Sequence, residues 1–145
     1  MSKKQVSKLI LLLLGGLLVL AACGKEQDSQ PPDSQGTLRK GAYQLISQEE
    51  AKERMDAGGV VVLDVRTAEE YAGAHIPGAK LLPNETLMEH AQAVLPDKAA
   101  AILVYCRSGR RSKEAAEKLI GLGYENVYDF GGIINWPYGT ETGEQ

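Results

Sequence analysis

The chain has 145 residues, 43% of them hydrophobic and 24% charged, which bounds it to one small globular domain plus peripheral segments. Acidic residues outnumber basic ones, for a formal net charge of -3, and this argues against nucleic acid as a partner. Two isolated histidines and a sparse pair of cysteines make no metal site.

The N-terminus "MSKKQVSK" carries Lys3, Lys4 and Lys8, and an uncharged run follows from Leu9 to Gly24. A basic region, an apolar region and small residues before a cysteine have the form of a secretory signal. A membrane-spanning helix needs about 20 apolar residues, so the shorter run reads as a cleaved segment. Its end, "LAAC" from Leu20 to Cys23, resembles the bacterial lipobox. That resemblance implies a signal peptide over 1–22, a diacylglyceryl group on the Cys23 sulfur, and Cys23 as the new N-terminus. Acylation there satisfies the two-signal requirement for stable anchoring. The implied location is the extracytoplasmic face of a bacterial cell envelope. Removing the leader takes three lysines with it and leaves the remainder more acidic still.

Residues 23–42 are polar and rich in Gln, Ser, Asp and Pro. They bury too little apolar surface to order themselves and read as a tether between lipid and domain. With Cys23 a thioether, Cys106 has no disulfide partner. An idle thiol outside the cytoplasm would be oxidised, so Cys106 is expected to have a chemical role.

The domain is expected over 43–138, with 139–145 as a polar tail. "YQLI" (Tyr43 to Ile46) reads as a strand. "SQEEAKERMDAGG" reads as a helix with a capping box of Ser47 and Glu50 and a stop at Gly58 and Gly59. "VVVLDV" (Val60 to Val65) is an uninterrupted apolar run, as a strand buried on both faces requires. "TAEEYAGA" repeats the capping box with Thr67 and Glu70. "AKLL" (Ala79 to Leu82) is a strand and "NETLMEHAQAVL" a helix closed by Pro96. "AAILVY" (Ala100 to Tyr105) is a second doubly buried strand. "SKEAAEKLIGLG", from about Ser112, places Ala115, Ala116, Leu119, Ile120 and Leu122 on one helical face. "NVYDF" (Asn126 to Phe130) is the last strand. This alternation specifies an α/β fold with a mostly parallel sheet covered by helices on both faces.

Parallel sheets place their sites at the carboxyl ends of strands. Cys106 directly follows such a strand, in "YCRSGRRS", just before a helix. Free N–H groups and the helix dipole favour an anion there. Gly109 lets the loop curl, its N–H groups form an anion nest, and Arg107, Arg110 and Arg111 add charge. That setting predicts Cys106 as a thiolate nucleophile. Two chemistries fit. The tyrosine-phosphatase pattern is His-Cys, five residues, then Arg. Here Tyr105 precedes the cysteine, Ser112 stands at the arginine position, and Arg111 comes one residue early. The tighter loop suits one sulfur atom better than a tetrahedral phosphate.

"CRSGRRS" resembles the catalytic loop of the rhodanese family, Cys-Arg-Ser-Gly-x-Arg-Ser. "DVRTAEEYAGAHIPGA", from Asp64 to Ala79, resembles the family's second signature. It departs from that signature at Ala74, where the family has glycine, a change expected to strain a turn without touching a reacting group. Gly131, Gly132 and Trp136 resemble a third, weaker signature. The resemblance implies a rhodanese-like domain acting as a single-domain, monomeric sulfurtransferase. Cys106 would be the catalytic residue, and Arg107, Ser108, Gly109, Arg110, Arg111 and Ser112 would bind substrate. Asp64 and Arg66 would support the loop, His75 would fix a turn, and His90 would lie on a helix surface. The implied partners are a small sulfur donor such as thiosulfate and a thiol or cyanide acceptor, with the membrane reached through Cys23. No metal or organic cofactor is implied. A sulfur carrier without turnover, and a cysteine phosphatase or arsenate reductase of the same fold, are the rival readings.

Overall fold

A computed structural model describes residues 42–145. The signal peptide, Cys23 and the tether as far as residue 41 lie outside the described residues. The elements run β1 (Gln44–Leu45), α1 (Gln48–Ala57), β2 (Val60–Asp64), α2 (Ala68–Gly73), β3 (Lys80–Leu81), α3 (Leu87–Val94), β4 (Ala101–Cys106), α4 (Arg110–Gly121) and β5 (Asn126–Gly132). A 3-10 turn, Ile133–Asn135, follows.

All five strands are parallel, in the order β1-β5-β4-β2-β3. Side chains alternate across each strand, and β4 shows what this does. Ala101, Leu103 and Tyr105 face a core layer with Ala51 and Met55 of α1 and Tyr71 of α2. Ile102, Val104 and Cys106 face the other layer, with Leu87 and Ala91 of α3 and Ala115, Ala116 and Leu119 of α4. The two-faced run in the sequence is therefore a central strand with helices on both sides. Full burial of each such aliphatic side chain contributes about 1.5–3 kcal/mol.

The helix starts follow the capping residues unequally. Thr67 and Glu70 form the complete reciprocal box at α2. At α1 only half forms: the Ser47 hydroxyl accepts from the Glu50 N–H at 3.0 Å, while the Glu50 carboxylate turns forward to Arg54 at 2.8 Å. Arg54 in turn lies 4.1 Å over the Tyr128 ring. The edge strands β1 and β3 are shorter than the runs read from sequence. Bonds from Ile46 N to Asp129 O and from Leu82 N to Asp64 O, both 2.9 Å, continue the pairing past their ends, so the difference is one of end residues.

Residues 139–145 carry no apolar pattern, yet they run along the domain. His75 and Glu141 exchange two backbone bonds of 2.8 Å, and Gly143 N donates to Ala72 O at 3.0 Å. Among the described residues, no helix is long and apolar enough to cross a membrane.

Candidate active site

The site begins with the alternation of β4, which turns the Cys106 side chain toward α4. Its residue is only 1% exposed. The Gly109 N–H donates to Sγ at 3.1 Å. Sγ–H lies 3.7 Å from the Ser112 Oγ as donor, and that hydroxyl donates to the Gly109 carbonyl at 3.0 Å. Once the thiol loses its proton, the same Ser112 hydroxyl is placed to donate to sulfur.

Sequence reading starts the helix near Ser112; α4 starts at Arg110. Its N-cap is Gly109, in the left-handed region at φ 105° with no side-chain cap. The first N–H groups of a helix have no intrahelical partner, so the N-terminus of α4 presents donors beside Sγ and favours negative charge there.

A second backbone segment closes the cradle. Val104 pairs with Asp129 but Cys106 pairs with Gly132, so β5 has one extra residue, a bulge. The bulge carries Gly131, at φ 87°, and the Gly131 N–H is held by the buried Asp129 carboxylate at 2.9 Å. Gly132 then passes so near the loop that a Cβ on it would collide with the Arg107 carbonyl oxygen and stand 2.6 Å from the Ser108 Cα. The Arg107 carbonyl also accepts from Ile134 N at 3.3 Å. Gln48 Nε2 fixes the Gly132 carbonyl at 2.7 Å.

The arginines are not equivalent. Arg107 and Ser108 are exposed. Arg110 pairs with Glu114 one turn along α4, at 2.6 Å. Arg111 makes a two-pronged pair with Glu70 of α2, Nη1 to Oε2 at 2.7 Å and Nη2 to Oε1 at 2.8 Å. The Arg111 guanidinium holds the Glu70 carboxyl down to about 2, against an ordinary value of 4.5. A depressed carboxyl stabilises the fold fully above its unfolded value and loses that contribution as pH falls through its folded value. Wild type should therefore exceed Glu70→Gln by about 1–2 kcal/mol above pH 5, once solvent screening of this part-exposed pair is allowed for. The gap should close between pH 4.5 and about 2. Denaturant unfolding across that range checks it, and a gap independent of pH would refute it.

Asp64 and Arg66 pair within a single loop. Arg66 Nε and Nη2 reach the Asp64 carboxylate at 2.5 to 3.0 Å, and Nη2 also donates to the Ala74 carbonyl at 2.7 Å. Both are buried, so removal of one partner alone costs about 3–5 kcal/mol. The pair lies on the Tyr105 side, with the guanidinium 5.6 Å over that ring, and Tyr105 Oη accepts from Ile76 N at 3.1 Å. It braces the turn at 74–76, on the sheet face opposite Cys106. Ala74 itself is extended, φ −168°, so the strain expected there is absent. His75 stacks on Tyr71 with ring centroids 3.7 Å apart. Its Nδ1 meets Tyr71 O at 2.9 Å and its Nε2 meets Glu141 of the C-terminal segment at 3.2 Å, so both ring nitrogens are occupied. His90 is exposed. Trp136 packs between Phe130 and Tyr138.

Sequence reading did not assign Glu70 to the site. Its box with Thr67 was visible, but its partner Arg111 is 41 residues away. Glu141 was missed for the same reason.

A cysteine at the carboxyl end of a central parallel strand, under a short nest opening a helix, places the chain in a class of cysteine-loop α/β domains. Residues 47–137 match the family Rhodanese-like domain, and the chain belongs to that family. It is 35% identical to thiosulfate sulfurtransferase GlpE of Pseudomonas putida over 105 residues, covering 70% of this chain and 94% of the relative. It is 38% identical to thiosulfate sulfurtransferase PspE of Escherichia coli over 71 residues, covering 49% and 68%. Among solved structures, a rhodanese-like domain protein from Staphylococcus aureus superposes with a TM-score of 0.61 at 32% identity, covering 68% of this chain and 97% of that one. An E. coli rhodanese described with anions gives a TM-score of 0.54 at 34% identity, over 57% and 98%.

Proposed function

We propose that the domain transfers sulfane sulfur through a persulfide on Cys106. The Cys106 thiolate attacks the outer sulfur of thiosulfate or a related donor. A Cys106–sulfur bond forms, the donor's sulfur–sulfur bond breaks, and its electron pair leaves with sulfite. A thiol or cyanide then attacks the terminal sulfur and restores the thiolate. This is nucleophilic catalysis by an activated cysteine.

The observation that carries the reading is the 3.1 Å bond from the Gly109 N–H to Sγ, at the mouth of the α4 N-terminus. A backbone donor already aimed at the sulfur, beside the free N–H groups that open α4, is placed to hold the negative charge that the sulfur carries during the reaction. The names of the sulfurtransferase relatives agree with this chemistry, as does the description of one relative with anions. The short interval from Cys106 to Arg111 supports sulfur over phosphate. Incubation of the purified domain with thiosulfate should add one sulfur atom to its intact mass, and cyanide should remove it as thiocyanate. No adduct, or aryl phosphate turned over faster than thiosulfate, would refute the reading. Sustained thiocyanate production beyond one equivalent separates an enzyme from a carrier.

The same proposal places the domain outside the cytoplasm, anchored by lipid on Cys23. "LAAC" supports this. Cys23→Ala in the full chain, expressed in a bacterial host, should abolish partitioning into detergent and leave the precursor unprocessed. Normal processing with membrane retention would rule the anchor out.

A further inference from the structure

We propose that Asp129 is a positioning residue for sulfur transfer: through the bulge at Gly131 it sets both groups that stand against the Cys106 sulfur. This inference rests on the sulfurtransferase reading above and gives a role in it to a residue outside the cysteine loop.

Asp129 is an unexpected residue for its place in the sheet. It is 3% exposed, on an interior strand, between Leu45 of β1 and Val104 of β4. Val127 faces the layer that contains Cys106, while Tyr128 and Phe130 face the other. Alternation therefore turns the Asp129 side chain to the cysteine face of the sheet. Among the described residues it forms no salt bridge. A buried carboxylate with no cation beside it is costly to keep, and aspartate is disfavoured in strands. For packing alone, an apolar residue would serve better here.

What the carboxylate does is local. Its Oδ1 accepts from the Gly131 N–H, two residues ahead, at 2.9 Å. This is the short side-chain-to-backbone turn open to Asp and Asn. It falls where β5 leaves its register with β4, just after the Val104–Asp129 pair, and it holds the turn that puts Gly131 at φ 87°.

Two contacts lead from Gly131 to the cysteine. The Gly131 carbonyl accepts from the Ser112 hydroxyl at 3.4 Å, and that hydroxyl lies 3.7 Å from Sγ. The Gly131 Cα lies against Gly109, where an added Cβ would stand 3.6 Å from it. Gly109 supplies the N–H that reaches Sγ at 3.1 Å. A shift of Gly131 thus moves both groups that meet the charge on sulfur, in each half-reaction. The next residue, Gly132, is held from α1 by Gln48 at 2.7 Å, so Asp129 governs the near side of the bulge and Gln48 the far side.

Three substitutions test the role in steady-state thiocyanate production from thiosulfate and cyanide. Asp129→Ala should lower kcat about tenfold, with KM for thiosulfate changed by less than twofold, because alignment is lost and donor binding is not. Asp129→Asn keeps a carbonyl oxygen for the Gly131 N–H and should hold kcat within threefold of wild type. Asp129→Val suits a strand but offers no acceptor. It should match alanine, and it carries the test if the alanine variant folds poorly. Each kcat is taken per folded domain, with the folded fraction read from thermal unfolding. A residue needed only for stability would lower that fraction and leave kcat per folded domain unchanged.

Alanine and valine variants within threefold of wild-type kcat would overturn the inference. So would an asparagine variant as slow as alanine, or a thiosulfate KM raised fivefold or more in either apolar variant. A wild type that takes up sulfur while its variants show any of these results refutes only this assignment. A wild type that takes up no sulfur refutes the sulfurtransferase reading as well.

Discussion

Cys106→Ser is expected to lose sulfur transfer by at least about a thousandfold, down to the uncatalysed background. The change is one atom, and the surroundings keep their bonds. The Gly109 N–H that donates to Sγ at 3.1 Å finds an oxygen in its place. Ser112 keeps its bond to the Gly109 carbonyl. The fold should therefore stay within about 1 kcal/mol of wild type, the scale of one adjusted hydrogen bond. The chemistry has no such substitute. A serine hydroxyl is not ionised at neutral pH and cannot carry sulfane sulfur as a persulfide. The check pairs thiocyanate release with intact mass after thiosulfate. Serine-variant turnover within tenfold of wild type would mean that another group is the nucleophile.

That the cysteine was legible from sequence follows from where its determinants sit. The strand before it, the glycine in the loop and the helix after it are contiguous, so local rules reached all of them. The buried strands were equally plain. An uninterrupted run such as "VVVLDV" or "AAILVY" has no reading other than burial on both faces once helices flank it.

What local rules misplaced is instructive at Ser112. Sequence reading began the helix near Ser112, and serine is among the residues favoured at N-caps. In the structure Ser112 lies inside α4, fully buried, with its hydroxyl between the Gly109 carbonyl and Sγ. Gly109 is the cap instead, because a left-handed residue is needed to aim its N–H at the sulfur. The site took the residue that capping statistics would have assigned to the helix end.

The remainder was not legible because it depends on strand order. With β4 between β2 and β5, Glu70 of α2, the helix after β2, and Gly132 at the end of β5 both flank the cysteine loop. Nothing near Glu70 in sequence announces Arg111 as its partner. Asp64 and Arg66 were recognisable as a pair, but which face they would take required the register of β2 against β4, where Asp64 sits beside Tyr105. The resemblance to a known family placed these motifs in one site without saying how they touch.

Gly132 is where that long-range packing meets the chemistry, and Gly132→Ala is expected to cost about a hundredfold in sulfur transfer. The reason is steric rather than conformational. Gly132 has φ −123° and ψ 137°, which alanine adopts freely. Its added Cβ would instead strike the Arg107 carbonyl oxygen and the Ser108 Cα. Both are backbone atoms of the cysteine loop, so no side chain can swing aside. Either β5 or the loop must shift, and overpacking of this kind costs about 1–3 kcal/mol in stability. A loop displaced by about 1 Å no longer aims Gly109 N–H at the sulfur, and misplacement on that scale is what costs the rate. Gly131 supplies the contrast. It lies at φ 87° with open space around its Cβ position, so Gly131→Ala meets backbone strain of about 1–2 kcal/mol without pushing on the loop. The pair should therefore separate: similar losses of stability by thermal unfolding, but persulfide formation much slower in Gly132→Ala than in Gly131→Ala. Persulfide formation in Gly132→Ala within threefold of wild type would show that the glycine contact does not set the cradle.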